Sequence, residues 1–168
     1  TAYEQHMGTQ NLVNGAASAG ATSITVDDAD KSNYAFQVGD LISFSSADSS
    51  SDVTAFAHLA GDEGNEYEVT AISTNALTIR LKDDPNGAGL KAAIADDSFI
   101  RRRWRFYDLF DGAPGTSDWA TDNGRGSGDE LHVAVYDATG DITGYDNDVA
   151  GARTSSVIET YGNMSKNP

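Results

Sequence analysis

The sequence predicts a mainly β fold, in which a small β-barrel-like insertion domain is followed by part of an α+β core domain. Short stretches of alternating apolar and polar residues occur along the chain, and such alternation is typical of half-buried strands. Glycine is abundant, with 17 residues against three prolines, which suits tight turns between strands. The second half shows no long amphipathic helix.

Three segments follow from the composition. Residues 1–20 are small and polar, which predicts an entry linker with little core of its own. Residues 21–98 contain the predicted β-barrel domain, whose clearest local signal is a hairpin. Tyr67–Ile72 and Leu77–Leu81 alternate around a short polar turn. A closed or nearly closed barrel would remove exposed strand edges.

Residues 99–168 are predicted to be a partial core domain. Leu131–Tyr136 has the cleanest two-residue period in the chain, and Ser156–Tyr161 predicts a second strand. About three strands rarely make an independent domain. We therefore expect this half to pack against protein that the chain does not contain.

The composition also excludes several classes of protein. The chain has no cysteine, which excludes a disulfide scaffold, a thiol nucleophile and cysteine-ligated metal. A net charge of −15 opposes phosphate binding, so no direct nucleic-acid partner is expected. The sequence has no run of 18 apolar residues, so no membrane insertion is expected.

The residues that could carry chemistry do not form a recognisable catalytic motif. His6, His58 and His132 lack metal-ligand spacing, and no phosphate-binding loop, dinucleotide fingerprint or nucleophile elbow occurs. The sequence therefore predicts neither an enzyme nor a cofactor. Calcium is the one metal to weigh, although solvated turn aspartates are the favoured interpretation because no EF-hand pattern is present. The two aspartate clusters comprise Asp27, Asp28 and Asp30, and Asp137, Asp141, Asp146 and Asp148.

One basic run stands out against the acidic background. On a strand, Arg101, Arg103 and Arg105 share one face, and three like charges repel unless they meet carboxylates. Three partners remain open: aspartates of the same chain, an acidic patch on a neighbouring subunit, and nucleic acid. We take these arginines, with Arg125 in the glycine-rich loop Gly112–Gly128, as candidate subunit-interface residues.

Three stretches of the second half carry a family resemblance. Gly128–Asp137 contains Gly-Asp-Glu-Leu-His-Val, Gly140–Gly144 gives an Ile-x-Gly return, and Val157–Lys166 contains Val-Ile-Glu-Thr-Tyr and then Ser-Lys. In this order they resemble the tail sheath proteins of contractile-tailed bacteriophages, over residues 104–166. Ala21–Leu81 is similar to small β-barrel inserts of phage tail proteins. A full sheath subunit is several times longer, so the resemblance implies that the chain is a fragment.

The resemblance implies a function. Sheath subunits stack as hexameric rings around a tail tube and slide from an extended to a contracted arrangement, which drives the tube into the host. The implied partners are other copies of the subunit and the tail tube protein. The implied location is the virion tail, assembled in the host cytoplasm. The alternative is a carbohydrate- or receptor-binding β module of a tail fibre or baseplate, which predicts an exposed aromatic platform. A hydrolase would instead need a concave pocket with convergent carboxylates.

Overall fold

The computed structural model describes residues 3–48 and 56–165 and divides the chain into two compact units. Unit 1 comprises residues 1–105 and unit 2 residues 106–168. Both are built around antiparallel strands, which confirms the predicted mainly β class. Within the described residues, no helix combines the length and apolar character needed to cross a membrane.

Unit 1 contains six strands: β1 (Glu4–His6), β2 (Ser23–Thr25), β3 (Leu41–Ser45), β4 (Tyr67–Ser73), β5 (Ala76–Leu81) and β6 (Phe99–Arg103). They form one antiparallel sheet in the order β1-β6-β3-β4-β5-β2. The hairpin predicted from alternation is confirmed as β4 and β5, which are joined at Thr74-Asn75 with Thr74 at a φ of 54°. The predicted turn at Gly39 is also confirmed, because its φ of 94° directs the chain into β3.

The sheet of unit 1 is barrel-like, but its described strands do not close into a barrel. Beyond β1, Leu12 bridges to Phe99 in β6, and Val13 bridges to Val26 just after β2. Two adjacent residues thus connect β6, the neighbour of one edge strand, with the residue that follows β2, the other edge strand. The sheet therefore curls around its core without a continuous ladder between β1 and β2.

The first twenty residues differ from the predicted linker. Strand β1 pairs with β6, with Glu4 opposite Arg103, while Met7 and Val13 are fully buried in the core. Polar strand residues are retained here because their partners are charged side chains on β6. The segment is thus an integral part of unit 1.

The division of the chain also differs from a break after residue 98. Strand β6 lies between β1 and β3, with Arg101 opposite Ser43, and therefore belongs to the sheet of unit 1. The change in composition near Phe99 marks the start of this charged strand rather than a new unit. The contact-defined boundary follows Arg105.

The core of unit 1 lies on one face of the sheet. Phe44 and Tyr67 pack with their ring centroids 5.9 Å apart at its centre. Burial of such side chains supplies the main stabilisation of a chain without disulfides. The other fully buried apolar residues include Met7, Val13, Val26, Ile42, Val69, Leu77, Ile79, Ile94 and Ile100.

Unit 2 is a two-stranded antiparallel ribbon with short helical turns and long ordered loops. Strands β7 (Glu130–Tyr136) and β8 (Val157–Ser165) pair with each other. Both predicted strands are confirmed, and β8 continues four residues beyond the predicted end. Helix α1 (Asp118–Asp122) is one turn long, and the Ser117 hydroxyl caps it by accepting a hydrogen bond from the amide of Ala120.

Candidate partner-binding surface

One face of the β7–β8 ribbon is apolar and open to solvent. The register places Leu131 opposite Met164 and Val133 opposite Tyr161. Leu131 is 40% exposed and Tyr161 46% exposed. The apolar ribbon face comprises Leu131, Val133, Val135, Tyr161 and Met164, of which Val133 is half-buried, and Glu159 lies opposite Val135 at its edge. Cross-strand pairs of this kind stabilise a sheet best when a second layer covers them.

The opposite face of the ribbon contacts the first residues of unit 2, among them Phe106 and Phe110. The His132 ring stacks on Phe110 at a centroid distance of 4.2 Å and an interplanar angle of 6°. Tyr136 packs on Phe106 at 5.3 Å, and Phe106 is buried. Gly162 adjoins Phe110, and a Cβ there would lie 3.4 Å from that ring, in ordinary van der Waals contact. Unit 2 therefore packs two aromatic rings, Phe106 and Phe110, against this side of its ribbon, where Tyr136 still remains 44% exposed.

His132 has a structural role in this arrangement. Its Nδ1 accepts a hydrogen bond from the amide of Asn163 at 3.0 Å, and its Nε2 lies 2.7 Å from the carbonyl oxygen of Gly112. These partners fit the neutral tautomer that carries its proton on Nε2. A cavity of about 260 Å³ adjoins the ring. Both ring nitrogens of His132 are therefore engaged, and the side chain links β7 to Asn163 of β8 and to the loop at Gly112.

Exposed large apolar side chains are concentrated in unit 2. Among the described residues, ten of the eleven lie there, and Val38 is the one in unit 1. Monomeric proteins rarely expose contiguous apolar patches of this kind unless the patch binds something. The ten residues are Trp119, Leu131, Val135, Tyr136, Ile142, Tyr145, Val149, Ile158, Tyr161 and Met164.

The arginine run of unit 1 meets carboxylates of its own unit. Arg103 donates to Glu4 at 2.5 Å and to Glu66 at 3.2 Å, and Arg101 lies 3.6 Å from Glu66. Lys82 reaches the second oxygen of Glu66 at 3.3 Å. Although burial opposes it, hydrogen bonds from His6 and Arg103 hold the pKa of Glu4 below its usual value.

A second carboxylate extends this network across the sheet. Glu68 accepts a hydrogen bond from Arg80 at 2.8 Å and pairs with Arg105. Arg102 points to the opposite face, donates to Gln5 at 2.5 Å, and lies 3.5 Å from Asp40. Burial raises the pKa of Asp40, although Arg102 acts in the opposite direction. The whole group is called the arginine layer: Arg80, Lys82, Arg101, Arg102, Arg103 and Arg105 with Glu4, Asp40, Glu66 and Glu68.

The arginine layer is largely buried, and its part on the Arg101 face lies beneath a loop segment. Arg101 and Glu68 are 6% and 4% exposed. The guanidinium carbon of Arg101 lies 4.3 Å from the centre of the Phe56 ring, which also packs edge-on against His6 and His58. Residues 56–66 thus cover the polar side of the sheet.

The structure therefore shows the intramolecular network among the three alternatives for the arginine run. The partners are three glutamates and Asp40, whereas aspartates were expected; Glu66 directly precedes β4 and Glu68 is its second residue. Arg125 is separate from this layer and lies exposed in the loop after α1. A role for these arginines at a subunit interface stays a prediction.

The aspartate clusters act as caps for turns. Asp137 accepts hydrogen bonds from the amides of Gly140, Ile142 and Thr143 at 3.0, 2.7 and 2.8 Å. Asp27 likewise accepts from the amide of Leu12 at 3.2 Å. No group of three or more potential metal ligands occurs in the described ranges 3–48 and 56–165.

Comparison with known proteins adds a distant structural likeness. No protein-family model matches the chain, and no curated protein matches it. Among solved structures, the Gp54 tailspike of Acinetobacter baumannii bacteriophage AP22, solved in complex with A. baumannii capsular saccharide, is similar over 59% of this chain, with 16% identity and a TM-score of 0.38. The match spans 15% of the tailspike chain. A likeness of this size establishes neither a shared fold nor a shared function, and the resemblance to tail sheath proteins stays a prediction.

Proposed function

We propose that this chain is part of a structural protein of a phage tail and works by packing against other protein subunits. The observation that carries the proposal is the apolar ribbon face, which is open to solvent on one side of β7–β8, while Phe106 and Phe110 pack against the other side. Covering a large apolar side chain gains about 1.5–3 kcal/mol. Leu131, Val135, Met164 and Tyr161 are between 40% and 46% exposed, so covering each of them gains a part of that amount, and together they suit a contact with another subunit.

Within this class, the tail sheath is the proposed assembly because of where its motifs lie. Gly128–Asp137 includes strand β7, and Val157–Lys166 includes strand β8. Lys166 lies outside the described residues. The two stretches that resemble the sheath family thus form one ribbon. In the proposed sheath, the subunits pack in rings around the tail tube and exchange contacts on contraction. Such movement of rigid subunits needs no cofactor and no catalytic residue.

The test replaces one apolar side chain of the ribbon face in the full-length protein. We expect the unmodified protein to form ringed tubes in electron micrographs and Leu131→Asp to abolish them, because a carboxylate is costly to bury without a partner. The matched control is Val38→Asp, which alters the exposed apolar residue of unit 1. Unchanged tubes with Leu131→Asp, in a protein of normal thermal stability, would exclude the ribbon face as the contact.

A second candidate function rests on the exposed aromatic residues. Trp119, Tyr145 and Tyr161 are 39%, 54% and 46% exposed, and exposed aromatic rings are common contacts at binding sites. A carbohydrate- or receptor-binding module of a tail fibre or baseplate would use them. It predicts glycan-array binding that is lost in Tyr145→Ala and kept in Leu131→Asp. Ring formation without glycan binding would favour the sheath.

A further inference from the structure

The segment between β7 and β8 has its polar groups inside and its large apolar groups outside. We infer that residues 137–156, called the peg loop, are a preorganised docking element that inserts into an apolar depression, bordered by lysine and arginine, on a different protein. This inference deepens the proposed function by naming the chemistry of one partner. It concerns a surface separate from the ribbon face.

Hydrogen bonds hold the first half of the peg loop. The Asp137 carboxylate accepts three backbone amides and also the Thr143 hydroxyl at 3.1 Å. Gly140 is required where the turn closes, because its φ is 84° and a Cβ there would lie 3.0 Å from the amide of Asp146. These bonds hold the backbone of the first half in one conformation.

A buried arginine holds the second half. Arg153 is 2% exposed and makes two parallel contacts with Asp108, at 2.8 and 2.9 Å. The side-chain amide of Asn147 donates to Ser156, and both residues are fully buried. The loop is therefore ordered by its own polar interior, which lowers the entropy lost when it binds a partner.

Three large apolar side chains point outward from this ordered loop. Ile142 is 76% exposed, Tyr145 54% and Val149 55%. Ile142 is the most exposed of the large apolar residues in the described part of the chain. An ordered loop that leaves such side chains in water gains nothing from them in the free chain. Their contribution comes when a partner removes them from water.

Charge identifies the kind of partner. Asp141, Asp146 and Asp148 accompany the three apolar residues in the sequence. An acidic border is repelled by anionic lipid headgroups, so a membrane is disfavoured. A protein surface with an apolar depression and a basic border is complementary to it.

A second copy of this chain does not meet that requirement. The chain has 11 basic residues, and six of them belong to the arginine layer, where they meet carboxylates. Arg153 is also buried and paired with Asp108. The described basic side chains of a second copy are thus mostly paired with their own carboxylates and do not supply the basic border that the peg loop requires. The partner is therefore a different protein.

The experiment uses the complete chain, immobilised and exposed to a lysate of the cells that make the natural assembly. Bound proteins are eluted with about 0.5 M salt, at which the screening length is only a few ångströms, identified by mass spectrometry, purified and titrated. We expect a salt-eluted protein whose affinity falls about tenfold or more with Ile142→Asp, as truncation of an interface anchor typically does. Val38→Asp is the matched control and should leave the affinity unchanged.

Three outcomes would overturn the inference. One is that no salt-eluted protein depends on Ile142, and another is that the bound protein is a further copy of this chain. The third is that phosphatidylcholine vesicles containing phosphatidylserine bind the chain through Ile142. Because Leu131→Asp tests the ribbon face separately, failure of the peg loop would leave the proposed function standing, and the reverse also holds.

Discussion

The two units distribute similar side chains in opposite ways. In unit 1 the apolar residues fill one face of the sheet, and the charged face is matched by its own glutamates and covered by residues 56–66. In unit 2 the polar groups of the peg loop lie inside, while apolar side chains of the ribbon and the loop lie outside. Unit 1 thus buries its apolar side chains and pairs its charged ones within itself, whereas unit 2, among its described residues, leaves ten large apolar side chains exposed to solvent.

The largest expected effect comes from matched truncations in the two units. Phe44→Ala should lower the free energy of unfolding of unit 1 by about 3–5 kcal/mol, because Phe44 is fully buried and its removal leaves a cavity. Val135→Ala on the ribbon face should change stability by less than about 1 kcal/mol, since its side chain is 40% exposed. Urea unfolding of each variant measures both values. Equal losses would contradict the difference between the units.

The arginine layer provides the next test. Glu68→Ala should lower the free energy of unfolding by about 3–5 kcal/mol, because Arg80 and Arg105 would lose their shared carboxylate within a largely buried layer. Asp30→Ala, at an exposed loop position, is the control and should unfold at the urea concentration of the unmodified chain. A neutral Glu68→Ala would mean that the arginines find their stabilisation elsewhere.

The peg loop should respond to acid in a defined direction. Hydrogen bonds from Thr143, Ile142 and Gly140 outweigh the effect of burial and lower the pKa of Asp137 to about 2. A folded-state pKa below the unfolded value of about 3.9 stabilises the fold at higher pH. That stabilisation is lost as the pH falls from about 4 towards 2.

Amide hydrogen exchange of Ile142 and Thr143 measures this loss, as faster exchange once exchange rates are corrected for pH. Asp137→Asn should abolish the acid response and raise exchange already at neutral pH. Protection that stays constant down to pH 2 would show that the carboxylate does not hold the loop. The amides of β4 serve as the internal control, since they bond within the sheet.

The smallest effect is expected at Arg125. Arg125→Glu should change the stability of the free chain by less than about 0.5 kcal/mol, because the residue is an exposed loop position. If Arg125 lies at a subunit interface, the same change should weaken ring formation by the full-length protein. Light scattering during assembly measures it, and an unchanged assembly rate would remove Arg125 from the candidate interface.

Local patterns were enough to predict several elements. The alternation of Tyr67–Ile72, Leu77–Leu81 and Leu131–Tyr136 predicted β4, β5 and β7, because in each strand the apolar side chains lie on one face and the polar ones mostly on the other. The prediction that the second half is incomplete rests on its few strands, and it stays a prediction. The apolar ribbon face was only partly predictable, because Met164 lies beyond the expected end of β8.

Other features depend on residues that are distant in sequence. Glu4–His6 has no apolar pattern and is a strand because Glu4 lies opposite Arg103, 99 residues later. The assignment of β6 to unit 1 depends on the same pairing and could not be read from composition. The arginine run likewise gave no indication which acids it would meet, since Glu66 and Glu68 reach it only through the order of the strands.

The side-by-side arrangement of β1 and β6 has a consequence for how unit 1 can be carried. Its first and last strands run antiparallel in one ladder, with Glu4 opposite Arg103, and paired strands lie about 5 Å apart. The two ends of unit 1 therefore lie next to each other at the same edge of the sheet. A host protein could accommodate such a unit within a single surface turn, and evolution could add or remove it while leaving the surrounding architecture in place.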